Sequence, residues 1–374
     1  MRKILIIIGT YLPGCKAGGP VQSMKNLTDR LGDEYEFYVL TADRDLNEQT
    51  PYENVVTTGW VPVGKAKVHY VPNAAFTREE VLAAAQDKDL IYLCGCFNDY
   101  ARVTLLLKKQ GKIKAKVVIA SMGLFSPGAF RIKYPKKKAY MEILKALGMF
   151  RQAEWSVTDA AEEADVKRIV GPRAVCHFAH DIPQTMDRLP EPVPKTEEGL
   201  RVVFLSRISR KKNLDYAIDV LRGVRGKVLF DFYGPREDAS YFAECMEKAG
   251  ELPANVTCTY KGGVTFDQVI STLSKYQVFL FPTRGENYGH VIYEALAGGC
   301  FPVISDQAPW QQLEDRGIGR VIPLDRPGEY TEVLQKLTEM SDEKIRAIQQ
   351  RAAAYAKEYA DHLDYSGYRE IFGQ

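Results

Sequence analysis

The sequence predicts an α/β protein of two Rossmann-like lobes, each a doubly wound parallel sheet. Three observations carry this reading. Short apolar runs alternate with stretches of helical periodicity, the rhythm stops in a proline-rich segment, and it then starts again. With 374 residues, 45% apolar and 26% charged, the chain is long enough for two complete cores and has an ordinary globular composition.

In the first lobe, KILIII has the length of a buried first strand. It runs into GTYLPGCKAGGPVQSMKNL, where Gly18, Gly19 and Pro20 open a helix. EFYVLTA reads as a second strand, followed by a loop-rich stretch to about Pro72. TREEVLAAAQ, DLIYLC, VTLLLKKQG and KVVIAS continue the alternation, and WSVTDAAEEADVKRI adds a strand and a helix. Between these lies RIKYPKKKAYMEILKALGMF, Arg131 to Phe150, with Tyr140, Ile143, Leu144 and Leu147 at helical spacing behind Lys133, Lys136, Lys137 and Lys138. It suits a helix docked on the first sheet, or one resting on an anionic membrane.

From Asp181 to Gly199 four prolines and many charges predict an extended, exposed linker. The expected domains are therefore 1–185 and 186–357. The second lobe resumes with RVVFLSRIS, NLDYAIDVLRGV, KVLFDFYG, a helix near Tyr241 to Glu251, VTCTYKG, FDQVISTLSKY, VFLFP and HVIYEALAGG. The last helical stretch breaks near Ser366 and Gly367, so a tail of about 358–374 is expected to pack back on the first lobe.

Composition excludes some partners. Fifty basic residues against 48 acidic ones leave no global footprint for nucleic acid. The seven cysteines, Cys15, Cys94, Cys96, Cys176, Cys245, Cys258 and Cys300, are scattered, mostly in apolar runs and without a CxxC pair, which points to a reducing compartment, with Cys94 and Cys96 read as buried thiols. Neither Cys94 with Cys96 nor His177 with His180 has a second pair at zinc spacing, so no metal site is expected. The apolar run before LPGC is too short for a secretory core, and no segment approaches a membrane span. A cytoplasmic protein is expected, with a peripheral membrane contact as a further expectation.

The chemistry concentrates in FPTRGENYGHVIYEALAGG. A buried strand hands over to a helix there, Gly289 lets a ligand approach the backbone, and the free amides of the helix start favour an anion. Glu286 lies on the loop, with Glu294 about two turns further on. Two acceptors at different depths suit a polyhydroxylated ligand. Arg207 ends a strand and Lys212 precedes a helix, where cations face the crevice beyond the strand ends. By itself the run Arg207, Arg210, Lys211, Lys212 reads rather as a solvated turn, and the Gly18–Gly19 loop equally as a tight turn or a phosphate cradle. A nicotinamide site fits poorly, because Gly9, Gly14 and Gly18 miss the GxGxxG spacing and Asp43 is the lone acid after the second strand.

Three blocks carry a family resemblance: GGPVQSMKNL, LSRISRKKNL and GENYGHVIYEALAGGCFPVISDQAPW. With them the chain resembles the retaining, nucleotide-sugar-dependent glycosyltransferases of family 4, over nearly its whole length. The resemblance implies the GT-B fold, two such lobes facing across a cleft. It implies transfer of a sugar from a nucleotide-sugar donor to a hydroxyl of a polysaccharide, oligosaccharide or glycolipid, without cofactor or metal. The family's E-x7-E pair falls on Glu286, toward the donor sugar, and Glu294, toward the ribose. Its phosphate-binding pair falls on Arg207 and Lys212, and its glycine loop on Gly18 and Gly19. Asn287, Tyr288, Gly289 and His290 would line the donor through backbone amides, and Gly262 and Gly263 would hold the base. The leaving phosphate would take the acceptor's proton, so no side-chain base is named. Tyr92 and Cys94 stand where relatives often have histidine, and Met122 where they often have arginine, which leaves the first-lobe contact open. The same fold also serves sugar-nucleotide epimerases and silent binding proteins.

Overall fold

The computed structural model describes residues 1–131, 134–186, 188–196 and 199–373. Lys133 and part of the linker, at 187, 197 and 198, lie outside the described residues. The chain divides into two compact units, Met1–Ile182 with Leu363–Gln374, and Pro183–His362.

The first unit runs β1 (Lys3–Ile7), α1 (Gly19–Leu31), β2 (Glu36–Ala42), β3 (Val61–Val63), β4 (Ala66–Val71), α2 (Arg78–Ala85), β5 (Leu90–Cys94) and α3 (Asp99–Lys109). It continues with β6 (Lys116–Ala120), α4 (Pro127–Arg131), α5 (Tyr134–Ala146), β7 (Ala153–Val157), α6 (Ala160–Val170) and β8 (Cys176–Phe178). The sheet order is β3-β4-β2-β1-β5-β6-β7-β8, parallel except at the β3–β4 edge. Ile4 to Ile7 are fully buried in β1, which has a strand on either side, and Leu5 and Ile7 share one apolar cluster with residues of α2 and α3.

The loop-rich stretch up to Pro72 ends in two strands, β3 and β4, which the sequence did not single out. In AKVHYV the residues Ala66, Val68 and Tyr70 are buried while Lys67 and His69 are not, the alternation of a strand with one solvated face. On α5 the apolar stripe splits. Met141 and Leu144 are buried and the Tyr140 hydroxyl donates to the Cys96 carbonyl at 3.1 Å, whereas Ile143 and Leu147 are 59% and 51% exposed.

The second unit runs β9 (Leu200–Leu205), α7 (Leu214–Leu221), β10 (Val228–Tyr233), α8 (Ala239–Gly250), β11 (Val256–Tyr260), α9 (Val269–Leu273) and β12 (Val278–Phe281). Then follow α10 (His290–Ala297), β13 (Phe301–Ser305), β14 (Arg320–Ile322), α11 (Pro327–Glu339) and α12 (Asp342–Asp361). All six strands are parallel, in the order β11-β10-β9-β12-β13-β14. The last helix, α13 (Ser366–Phe372), belongs to the first unit. Ser366 and Gly367 begin that helix, and the break lies just before them. No helix among the described residues is long and apolar enough to cross a membrane.

Candidate functional site

In the second unit the direction of winding reverses between β9 and β12, the place where loops leaving adjacent strands part and open a crevice. From β9 the chain carries Arg207 to Asn213, and from β12 it carries Pro282 to Gly289. Asn213 stitches the two exits together. In a left-handed conformation (φ 65°) it starts α7, its amide donates to the Pro282 carbonyl at 2.9 Å, and its oxygen accepts from Arg284 Nε at 2.9 Å. Arg284 N–H in turn donates to the Lys211 carbonyl at 2.9 Å.

This stitching brings Lys212 onto Glu286. Lys212 Nζ donates to Glu286 Oε1, and the side chains are only 10% and 12% exposed. The ammonium also lies 5.4 Å from the centre of the Phe281 ring, and Thr283 Oγ1 approaches the same carboxylate oxygen at 3.5 Å. Arg207 has a different partner: its Nη1 donates to Glu237 Oε2 at 3.0 Å, nearer the solvent.

Beyond Glu286, Gly289 takes a left-handed conformation (φ 77°, ψ 52°) and caps α10. The first amides of that helix have no intrahelical acceptor by geometry and offer donors to an anion. Buried Trp310 fixes the approach, donating through Nε1 to the Tyr288 carbonyl at 2.8 Å and packing on Tyr293 and Tyr359. Tyr288 in turn packs edge-on against His290, ring centres 4.7 Å apart, while Asn287 is half-buried on the same loop. Deeper in α10, Glu294 is buried with no hydrogen-bond or ion-pair partner for its carboxylate among the described residues. Desolvation raises its pKa to about 8.

Gly262 and Gly263 leave β11 on the same rim. Gly262 (φ 87°) accepts the Gly234 N–H at 2.8 Å, and both glycines face open space. Gly234 lies so close to β9 that a Cβ there would stand 1.8 Å from the Ser206 carbonyl oxygen.

Gly18 and Gly19 belong to the first unit. Gly18 (φ 68°) caps α1 and Gly19 is its first residue, while Asp45 holds the preceding loop by accepting the Cys15 N–H at 2.9 Å. The Tyr92 hydroxyl donates to Ser156 Oγ at 2.9 Å inside the core, and Cys94 and Cys96 are buried. Met122 takes a left-handed conformation (φ 48°) before Gly123, whose N–H donates to Glu162 Oε1 at 2.5 Å. His177 bridges Glu154 and Glu370 at 2.5 and 3.3 Å.

Sequence reasoning missed Asn213, Thr283 and Glu237 at this site. An asparagine just before a helix was a visible signal for the first. Glu237 is 30 residues from Arg207, and only the pairing of β9 with β10 brings them together.

Comparisons with known proteins agree with this architecture. Residues 186–358, nearly all of the second unit, match the family described as glycosyl transferases group 1. No curated protein matches the sequence. Among solved structures, sucrose-phosphate synthase of Thermosynechococcus elongatus is 16% identical and superposes with a TM-score of 0.70, over 100% of this chain and 96% of the other. HepE of Anabaena, solved with UDP and glucose, is 16% identical with a TM-score of 0.72, over 99% and 98%. An E. coli protein described as trehalose-6-phosphate, bound with UDP-2-fluoro glucose, is 11% identical with a TM-score of 0.70, over 99% and 98%. The chain has the GT-B fold.

Proposed function

We propose that the protein is a retaining glycosyltransferase that moves a sugar from a nucleotide-sugar donor to a hydroxyl of a saccharide or lipid-linked saccharide acceptor. The observation that carries this reading is the Lys212–Glu286 pair at the switch point, beside a helix start above an unpartnered Glu294. Supporting it are the family match of the second unit and the ligands of two structural neighbours, UDP with glucose in one and UDP-2-fluoro glucose in the other.

Each group has a task in this reading. Glu294 hydrogen-bonds the ribose hydroxyls, which satisfies a carboxyl group otherwise buried without a partner among the described residues. Glu286, held by Lys212, accepts hydroxyls of the donor sugar. Arg207 and Lys212 oppose the negative charge that grows on the leaving diphosphate as its bond to the sugar stretches. Amides around Gly289 and His290 meet the same anion, and Gly262 and Gly263 give the base access to main chain. The leaving phosphate takes the acceptor's proton, so the reaction needs neither a side-chain base nor a cofactor. Gly18 and Gly19 give the first unit a phosphate-facing loop of its own.

We place the protein in the cytoplasm, with α5 as a peripheral membrane contact. Tyr134, Ile143 and Leu147 are exposed there beside Lys136 and Lys138, a combination suited to an anionic surface.

Incubation with a panel of nucleotide sugars tests the activity. A transferase releases free nucleoside diphosphate slowly, and faster with an acceptor. Conversion of the sugar without release would make it an epimerase, and binding without either reaction a silent module. The anomeric configuration of the product, read by NMR, decides retention. Glu294→Ala should abolish stabilisation by nucleotide; an unaltered ligand shift would remove Glu294 from the ribose role.

A further inference from the structure

We propose that Lys211 is a third phosphate-binding cation of the donor site, supplying net positive charge that Arg207 and Lys212 by themselves do not. The inference rests on the donor reading above and begins with a charge count. Arg207 is paired with Glu237 and Lys212 with Glu286. These four groups sum to zero, whereas a diphosphate arrives strongly anionic. Arg210 is committed as well, to Glu244 at 2.6 Å. Of the run Arg207, Arg210, Lys211 and Lys212, Lys211 has no ion pair or hydrogen bond on its side chain among the described residues.

Its position is set by the same stitching that makes the site. The Lys211 carbonyl accepts the Arg284 N–H at 2.9 Å and faces the Thr283 hydroxyl at 3.3 Å. A Cβ on Gly285 would stand 3.7 Å from Lys211 Cε, so the side chain runs beside the loop that presents Glu286. The charges that act on its ammonium are, in decreasing order, those of Glu286, Lys212, Arg207 and Glu237. All four belong to the donor site. Although much of the side chain is exposed, protein crowded around the ammonium withdraws water from it and lowers its pKa. An anion placed there would restore what desolvation removes. A flexible four-carbon stem with a compact charge suits that task.

Calorimetric titration of the intact protein with UDP, GDP and ADP, and with the three parent nucleosides, tests the assignment in wild type, Lys211→Met and Lys211→Arg. For the diphosphate that wild type binds, Lys211→Met should bind about tenfold more weakly. Lys211→Arg should stay within about threefold of wild type, because the charge is kept. Nucleoside affinity should be equal in all three, and the salt dependence of diphosphate binding should be shallower in Lys211→Met. Equal diphosphate affinity in wild type and Lys211→Met would overturn the role of Lys211 and leave the donor reading standing. So would an equal loss for nucleoside and diphosphate. Failure of wild type to bind any of the three diphosphates would overturn the donor reading, and this inference with it.

Discussion

Lys212 and Glu286 are 74 positions apart in sequence and in direct contact in the fold. Because both are almost covered, loss of one partner leaves a charge that neither water nor protein compensates, at a cost of about 3 kcal/mol. The half-exposed Arg207–Glu237 pair is worth about 1 kcal/mol or less, since solvent screens it. Lys212→Met should therefore lower the melting temperature clearly more than Arg207→Met, and adding Glu286→Gln should recover part of the loss. Scanning calorimetry on the three variants checks this. Either single substitution should slow sugar transfer about a hundredfold. Glu294 gives a pH signature. Its carboxyl titrates near 4.5 when unfolded and near 8 when folded, so the native state holds an additional proton between those values. The raised pKa contributes stability that is complete below pH 4.5 and is lost as pH rises through 8, with a slope of up to about 1.4 kcal/mol per pH unit. Glu294→Gln has no such titration. Urea unfolding should show the variant gaining on wild type as pH is raised toward 8; a pH-independent difference would contradict the buried carboxylate.

At the scale of elements, the exits of β9, β10 and β11 touch backbone to backbone, and Gly234 is where that contact is tightest. A methyl group there meets the Ser206 carbonyl at 1.8 Å, and backbone cannot swing aside as a long side chain can. Gly234→Ala should lower the melting temperature and weaken nucleotide binding together. Gly262→Ala faces open space and should cost only its left-handed conformation, about 1 kcal/mol. Thermal melts with and without nucleoside diphosphate separate the two. Long apolar runs such as KILIII and VFLF were legible as central strands because they are buried on both faces. AKVHYV was not, because Lys67 and His69, on its solvated face, break up the apolar run of a strand one place from the sheet edge. The strands β8 and β14, three residues each, are too short for periodicity to register.

At the scale of the whole molecule, each unit has its own apolar core, yet the first is completed by the end of the chain. In α13, Tyr368, Ile371 and Phe372 are buried, Phe372 packs on Tyr35, Phe37 and Tyr92, and Arg369 grips Glu34 through two bonds of 2.9 Å. Deleting 363–374 should uncover those aromatic rings and lower the melting of the first unit while nucleotide binding by the second persists. Calorimetry with and without nucleoside diphosphate would show it, because only the transition that shifts with ligand belongs to the second unit. The sequence by itself determined the two doubly wound sheets and the residue types of the donor site, since apolar period and local helix starts are written in neighbouring residues. Only the tertiary structure decided which cation faces which carboxylate and which lysine keeps its charge unspent. Those pairings depend on strand order and on backbone stitching across 30 to 74 positions, where no local pattern reaches.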